Sequence, residues 1–103
     1  MAYISVFRPD LFAGKVILVT GGGTGIGRCI AHELASLGAT VALGSRRIEN
    51  TEAVKAEIEA DGSRALAGVC NIRELESVQA FVKRVLDDCG RIDGMVNNAG
   101  GSI

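Results

Sequence analysis

Between an apolar run and a helical pattern the chain reads VTGGGTGIG, Val19 to Gly27, with five glycines in seven residues. No other segment restricts the fold so strongly. A strand that passes straight into a helix through such a loop predicts the first crossover of a parallel sheet, with helix packed tightly on strand and backbone dihedrals that side chains resist. The predicted helix starts near Gly25 and points unpaired N–H groups and the positive end of its dipole at the loop, where an anion is stabilised.

Gly21, Gly25 and Gly27 are spaced G-x-x-x-G-x-G, which departs from the usual dinucleotide fingerprint G-x-G-x-x-G but meets the same physical demands. Gly23 and its neighbour Gly22 add flexibility or fill variable positions. A triphosphate-binding loop needs Lys and then Ser or Thr after the last glycine; Arg28 and Cys29 follow Gly27, so that reading fails. A glycine-rich turn without a ligand is the alternative, and it carries extra unfolded-state entropy at every glycine.

The alternation continues along the chain. KVILVT (Lys15 to Thr20), TVALG (Thr40 to Gly44), RALAGVC (Arg64 to Cys70) and GMVNN (Gly94 to Asn98) read as strands. Helices are predicted over 25–37, 49–61 and 73–88, ended by Gly38, Gly62 and Gly90. Ile26, Ile30, Leu34 and Leu37 form the expected core stripe of the first helix, and Leu75, Val78, Val82 and Val85, with Phe81 and Leu86 beside them, that of the third. Right-handed crossovers then favour the strand order 3-2-1-4. The fold expected is α/β, the N-terminal half of a Rossmann-type doubly wound parallel sheet, truncated, with residues 1–14 as an arm and 15–103 as a partial dinucleotide-binding domain. In that order the switch point lies between the first and fourth strands, so the glycine loop and Asn98 to Gly100 meet at the carboxyl edge of the sheet.

Composition bounds the partners. A net charge of −1 with 48% hydrophobic residues argues for a folded intracellular domain and against a nucleic-acid binder. No segment has the length of a signal peptide core or of a membrane span. Cys29, Cys70 and Cys89 are widely spaced, without a C-x-x-C pair, and are expected to be reduced and mostly buried. His32 is expected to be a solvated residue of the first helix.

Two further clues come from strand ends. In GSRRIE, Ser45 stands where an acid would bond a ribose 2′-hydroxyl, and Arg46 and Arg47 offer guanidinium forks for a 2′-phosphate, which points to NADP(H). The plainer alternative is two solvated arginines on a surface loop. In CNIRE, Asn71 can meet the adenine edge while Ile72 lies against the ring, or Asn71 can cap the third helix.

TGGGTGIG (Thr20 to Gly27) together with NNAG (Asn97 to Gly100) resembles the short-chain dehydrogenase/reductase family. The resemblance covers the chain from the first strand onward. It implies that Gly21, Gly25 and Gly27 line the pyrophosphate, that Thr24 and Ile26 contact phosphate and ribose, and that Arg46 meets the 2′-phosphate. It also implies that Asn71 and Ile72 flank adenine, and that Asn98, Ala99 and Gly100 support the adenosine ribose and the central strand. Much of the family has Asp where Asn71 stands. SVFRPDLFAGKV and CNIRE look like the peroxisomal trans-2-enoyl-CoA reductase branch, which implies NADPH-dependent reduction of an enoyl-CoA, a peroxisomal setting and a homo-oligomer; a carbonyl or 3-oxoacyl reductase is the alternative. The family's catalytic Ser and Tyr-x-x-x-Lys have no counterpart here: Tyr3 is the only tyrosine and Phe7 follows four residues on. A truncated chain that binds nucleotide without turnover is therefore also expected.

Overall fold

The structure, a computed structural model, describes residues 4–21 and 25–98. Its strands are β1 (Val16–Thr20), β2 (Thr40–Ser45), β3 (Ala65–Val69) and β4 (Gly94–Asn97), and its helices α1 (Gly25–Ser36), α2 (Ile48–Ala60) and α3 (Leu75–Cys89). The strands form one parallel sheet in the order β3-β2-β1-β4, as the crossover rule requires. Helix stops fall where the sequence puts them, with Gly38, Gly62 and Gly90 all at positive φ.

Alternation along the strands divides the core into two layers. On one face Val19, Val41, Leu43 and Ala65 pack with Ala31 and Ala35 of α1 and Val54 and Ile58 of α2. On the other Val16, Leu18, Ala42 and Leu66 pack with Cys70 and with Phe81 and Val85 of α3. The central strands are buried on both faces, which is why they read as continuous apolar runs.

The helix faces differ in part from the stripes expected. In α1 the side chains seated on the sheet are Gly27, Ala31 and Ala35; Leu37 is buried just beyond the helix, Ile30 and Leu34 flank the core, and Ile26 is 72% exposed at the open end. Small residues at i, i+4 and i+8 let the helix axis approach β1 closely, and the bulkier aliphatics sit to the side. In α3, Phe81 and Val85 are buried, Val78 and Val82 flank them, and Leu75 and Leu86 are exposed.

Phe81 explains why β2 and β3 each have glycine as their next-to-last residue. Gly44 and Gly68 are direct partners in the β2–β3 register, and the Phe81 ring covers both. A Cβ on Gly44 would lie 2.8 Å from the Cβ of Cys70 and 3.0 Å from the ring. At the outer edge of β3, Arg84 donates to the carbonyl of Ala67 at 2.7 Å and covers part of an edge that would otherwise be open.

Polar ties fix the margins. Asp93 accepts the Val16 N–H at 2.8 Å and is gripped by Arg91, stapling the approach to β4 against the start of β1. The segment before β1 is held by Phe12, whose N–H donates to the carbonyl of Leu37 at 2.8 Å, and by the Ser5 hydroxyl on the Glu33 carboxylate. Between α1 and α2, Glu57 accepts two bonds from Arg28, each 2.9 Å, and faces His32 Nε2 at 2.9 Å.

Two expectations follow from this packing. Gly44→Ala should lower stability by about 1–3 kcal/mol, the cost of overpacking a close-packed layer, read as a lower urea midpoint at unchanged slope; an unchanged midpoint contradicts the packing. Hydrogen bonds from Arg28 and then His32 hold the Glu57 carboxyl below its ordinary range, and those from Arg91 and then the Val16 N–H do the same for Asp93. Carboxyls with depressed folded-state pKa values contribute stability fully above their unfolded values, about 3.9 for Asp and 4.3 for Glu, and lose it as pH falls through the folded ones. The urea midpoint should therefore fall on acidification below about pH 5, less steeply in Glu57→Gln, and a flat profile in both proteins contradicts the assignment.

Candidate cofactor site

At the carboxyl edge β1 gives way to the glycine loop, and the glycines there meet different demands. Gly21 and Gly25 take φ of 69° and 55°, dihedrals that other residues rarely adopt. A Cβ at Gly25 would meet nothing within 4 Å among the described residues, so what the position demands of them is its dihedral. Gly27 is different. A Cβ there would lie 2.0 Å from the Gly21 carbonyl oxygen and 2.7 Å from Asn98 Nδ2, so side-chain absence at Gly27 is demanded by the protein's own backbone. That contact seats the first turn of α1 on the end of β1 and leaves the first N–H groups of the helix without intrahelical partners.

The β1–β4 junction is closed by polar bonds. Thr20, 1% exposed, lies with Oγ1 3.3 Å from the Val96 carbonyl and accepts the Asn98 N–H at 3.1 Å. Asn98 Nδ2 donates to the Gly21 carbonyl at 3.4 Å, so the fourth strand's end is tied to the first strand's loop across the switch point. Gly23, Thr24, Ala99 and Gly100 lie outside the described residues.

On the other side of β1, the Gly21 N–H donates to the Gly44 carbonyl at 2.7 Å, which continues the β1–β2 pairing into the loop. Ser45 Oγ then donates to the carbonyl of Arg47 at 2.7 Å and turns the chain into α2. Arg46 and Arg47 are exposed, and neither guanidinium has a hydrogen-bond or ion-pair partner among the described residues. One strand further out, Asn71 Oδ1 accepts the Arg73 N–H and Nδ2 donates to Glu74 Oε1, both at 3.0 Å. Because α3 begins only at Leu75, Asn71 shapes the turn ahead of the helix and does not occupy its cap. Ile72 is 40% exposed beside it.

The fold thus brings Gly21, Gly25, Gly27 and Asn98 to one corner, with Ser45, Arg46 and Arg47 one strand away and Asn71 and Ile72 two strands away, about 10 Å in all. Other expectations need correction. Of the cysteines, Cys70 alone is buried, and burial pushes its thiol pKa up; Cys89 is half-buried and Cys29 exposed. His32 is not solvated: its side chain is 13% exposed and engages Glu57, on the flank of α1 turned to α2. Thr20 and Asp93 were not singled out from the sequence, since their partners lie more than 70 residues away. The Gly44/Gly68 pair under Phe81 could have been found by aligning the strands, had the register been known.

A protein-family model described as short chain dehydrogenase matches residues 15–103. The chain belongs to the short-chain dehydrogenase/reductase family. Among solved structures, one similar to it is the citronellol catabolism dehydrogenase AtuB of Pseudomonas aeruginosa PAO1, at 52% identity and TM-score 0.92 over 97% of this chain and 42% of that one. A metagenomic short-chain oxidoreductase solved in complex with NADP is 44% identical, with TM-score 0.82, over 86% of this chain and 40% of that one. The peroxisomal 2,4-dienoyl-CoA reductase of Danio rerio is 36% identical over 102 residues, 98% of this chain and 34% of that protein. The chain spans about a third of the length of the curated relatives it matches. Among the described residues no helix is long and apolar enough to cross a membrane.

Proposed function

We propose that this chain forms the nucleotide-binding part of an NADP(H)-dependent short-chain dehydrogenase/reductase. The observation that carries the reading is an open helix N-terminus beside two guanidiniums that have spent none of their donors on the described protein. Gly21, Gly23, Thr24, Gly25, Ile26 and Gly27 surround the pyrophosphate, whose charge is stabilised by the first-turn N–H groups of α1. Arg46, with Arg47 beside it, takes the 2′-phosphate through forked charge-assisted bonds, and Ser45 stands where a carboxylate would repel that group. Asn71 and Ile72 flank the adenine, and Asn98, Ala99 and Gly100 line the ribose.

Bound NADPH supplies the hydride; these residues hold and orient its adenosine and pyrophosphate end. For the whole protein we read reduction of an enoyl-CoA in a peroxisomal setting, a reading supported by SVFRPDLFAGKV, by CNIRE and by the Danio rerio relative. Reduction of a carbonyl or 3-oxoacyl compound is the second reading. It is favoured by the 52% identity to a protein named a dehydrogenase.

Titration with NADPH and NADH tests the cofactor assignment. The protein should bind NADPH about tenfold or more tightly than NADH, and Arg46→Ala should weaken NADPH by about tenfold while leaving NADH within about twofold, as expected for one hydrogen-bonded charge contact. Equal losses for the two nucleotides discard the 2′-phosphate role of Arg46.

A further inference from the structure

The carboxyl edge carries a third guanidinium that none of the described residues engages. Of the other arginines, Arg28, Arg84 and Arg91 are ion-paired, Arg64 reaches the carbonyl of Asp88, and Arg8, exposed and without a side-chain partner among the described residues, belongs to the segment before β1 and not to a strand end at the carboxyl edge. Arg73 resembles Arg46 and Arg47: exposed, with no side-chain partner among the described residues.

Its mount is fixed. Pairing of β2 with β3 runs to the last residues of both strands, with Ser45 opposite Val69 and the Cys70 N–H donating to the Ser45 carbonyl at 2.8 Å. The two loops therefore leave the sheet side by side, at about 4.8 Å strand spacing, and carry Arg46 and Arg47 on one and Arg73 on the other. The Arg73 N–H is held by Asn71 Oδ1, and the Asn71 backbone carbonyl accepts the Glu74 N–H at 3.0 Å, so the turn presenting Arg73 is bonded on both sides. Glu74, the nearest acid in sequence, has its carboxylate engaged by Asn71 Nδ2 at 3.0 Å and makes no ion pair with Arg73. One asparagine thus both orders the loop and occupies the acid that could have neutralised its arginine.

We infer that Arg73 is a specificity-determining residue for the phosphorylated nucleotide, closing a two-loop clamp in which Arg46 and Arg73 approach the 2′-phosphate from adjacent strand ends. A phosphomonoester dianion offers three oxygens, enough for two forks at once. The inference rests on the NADP(H) reading and deepens it.

The test compares the protein with its Arg46→Ala, Arg73→Ala and Arg73→Lys variants for NADPH and NADH affinity, with circular dichroism to establish that each is folded. Arg73→Ala should weaken NADPH about three- to tenfold, the scale of one partly exposed charge contact, and leave NADH within about twofold. Arg73→Lys should recover part of the loss, since charge returns without the fork. If the unaltered protein shows no preference for NADPH, the underlying reading falls and this inference with it. If the preference is present, is lost in Arg46→Ala and is intact in Arg73→Ala, the clamp alone is overturned. Equal losses of both nucleotides in Arg73→Ala also overturn it, because the residue then acts through the shape of the loop.

Discussion

The closest contact in the fold that matters for the site is backbone on backbone. The first turn of α1 sits on the carbonyl of Gly21 so tightly that a Cβ at Gly27 would come within 2.0 Å of it. Everything at the carboxyl edge follows from that seat. It sets the angle at which α1 leaves β1 and allows Ala31 and Ala35 to reach the core. It also brings the helix N-terminus to the switch point between β1 and β4, where the topology leaves a crevice. Asn98 closes the arrangement from the far side by bonding the same Gly21 carbonyl.

This division of labour refines what a glycine-rich loop means physically. Gly27 is small because the helix needs the space, whereas Gly25 has a positive φ and open space where its side chain would be. The outer loops follow a similar pattern of internal bonding that leaves cations free. Ser45 and Asn71 satisfy their own turns, and Arg46, Arg47 and Arg73 emerge without partners among the described residues. Of the arginines elsewhere, Arg28 clamps α1 to α2, Arg84 covers the β3 edge and Arg91 holds Asp93, while Arg8, before β1, is exposed.

Much of the architecture was legible because parallel crossovers of fixed hand leave few topologies, and the apolar runs of β1, β2 and β3 mark strands covered on both faces. The order β3-β2-β1-β4 and the glycine stops could be read on those grounds alone. Helix faces were read less well. A 3.6-residue stripe through Ile26, Ile30 and Leu34 lies one residue off the face that α1 seats on the sheet, Gly27, Ala31 and Ala35, because the choice between bulky and small side chains depends on how close the helix axis comes. His32 looked solvated because its partner Glu57 lies on another helix. Register-dependent features were beyond reach for the same reason, including the Gly44/Gly68 pair beneath Phe81 and the Asp93 staple at the start of β1.

The central claim is that the seat of α1 on β1 leaves its N-terminal amides aimed at a phosphorylated dinucleotide. An NMR titration of the ¹⁵N-labelled chain with NADPH tests it most directly. The largest amide shifts should fall on Gly21, on Gly25 to Arg28 and on Arg46, with the amino edge of the sheet unaffected. Shifts concentrated instead around Asp10, Thr40 and Arg64, which line a hollow at that opposite edge, contradict the claim.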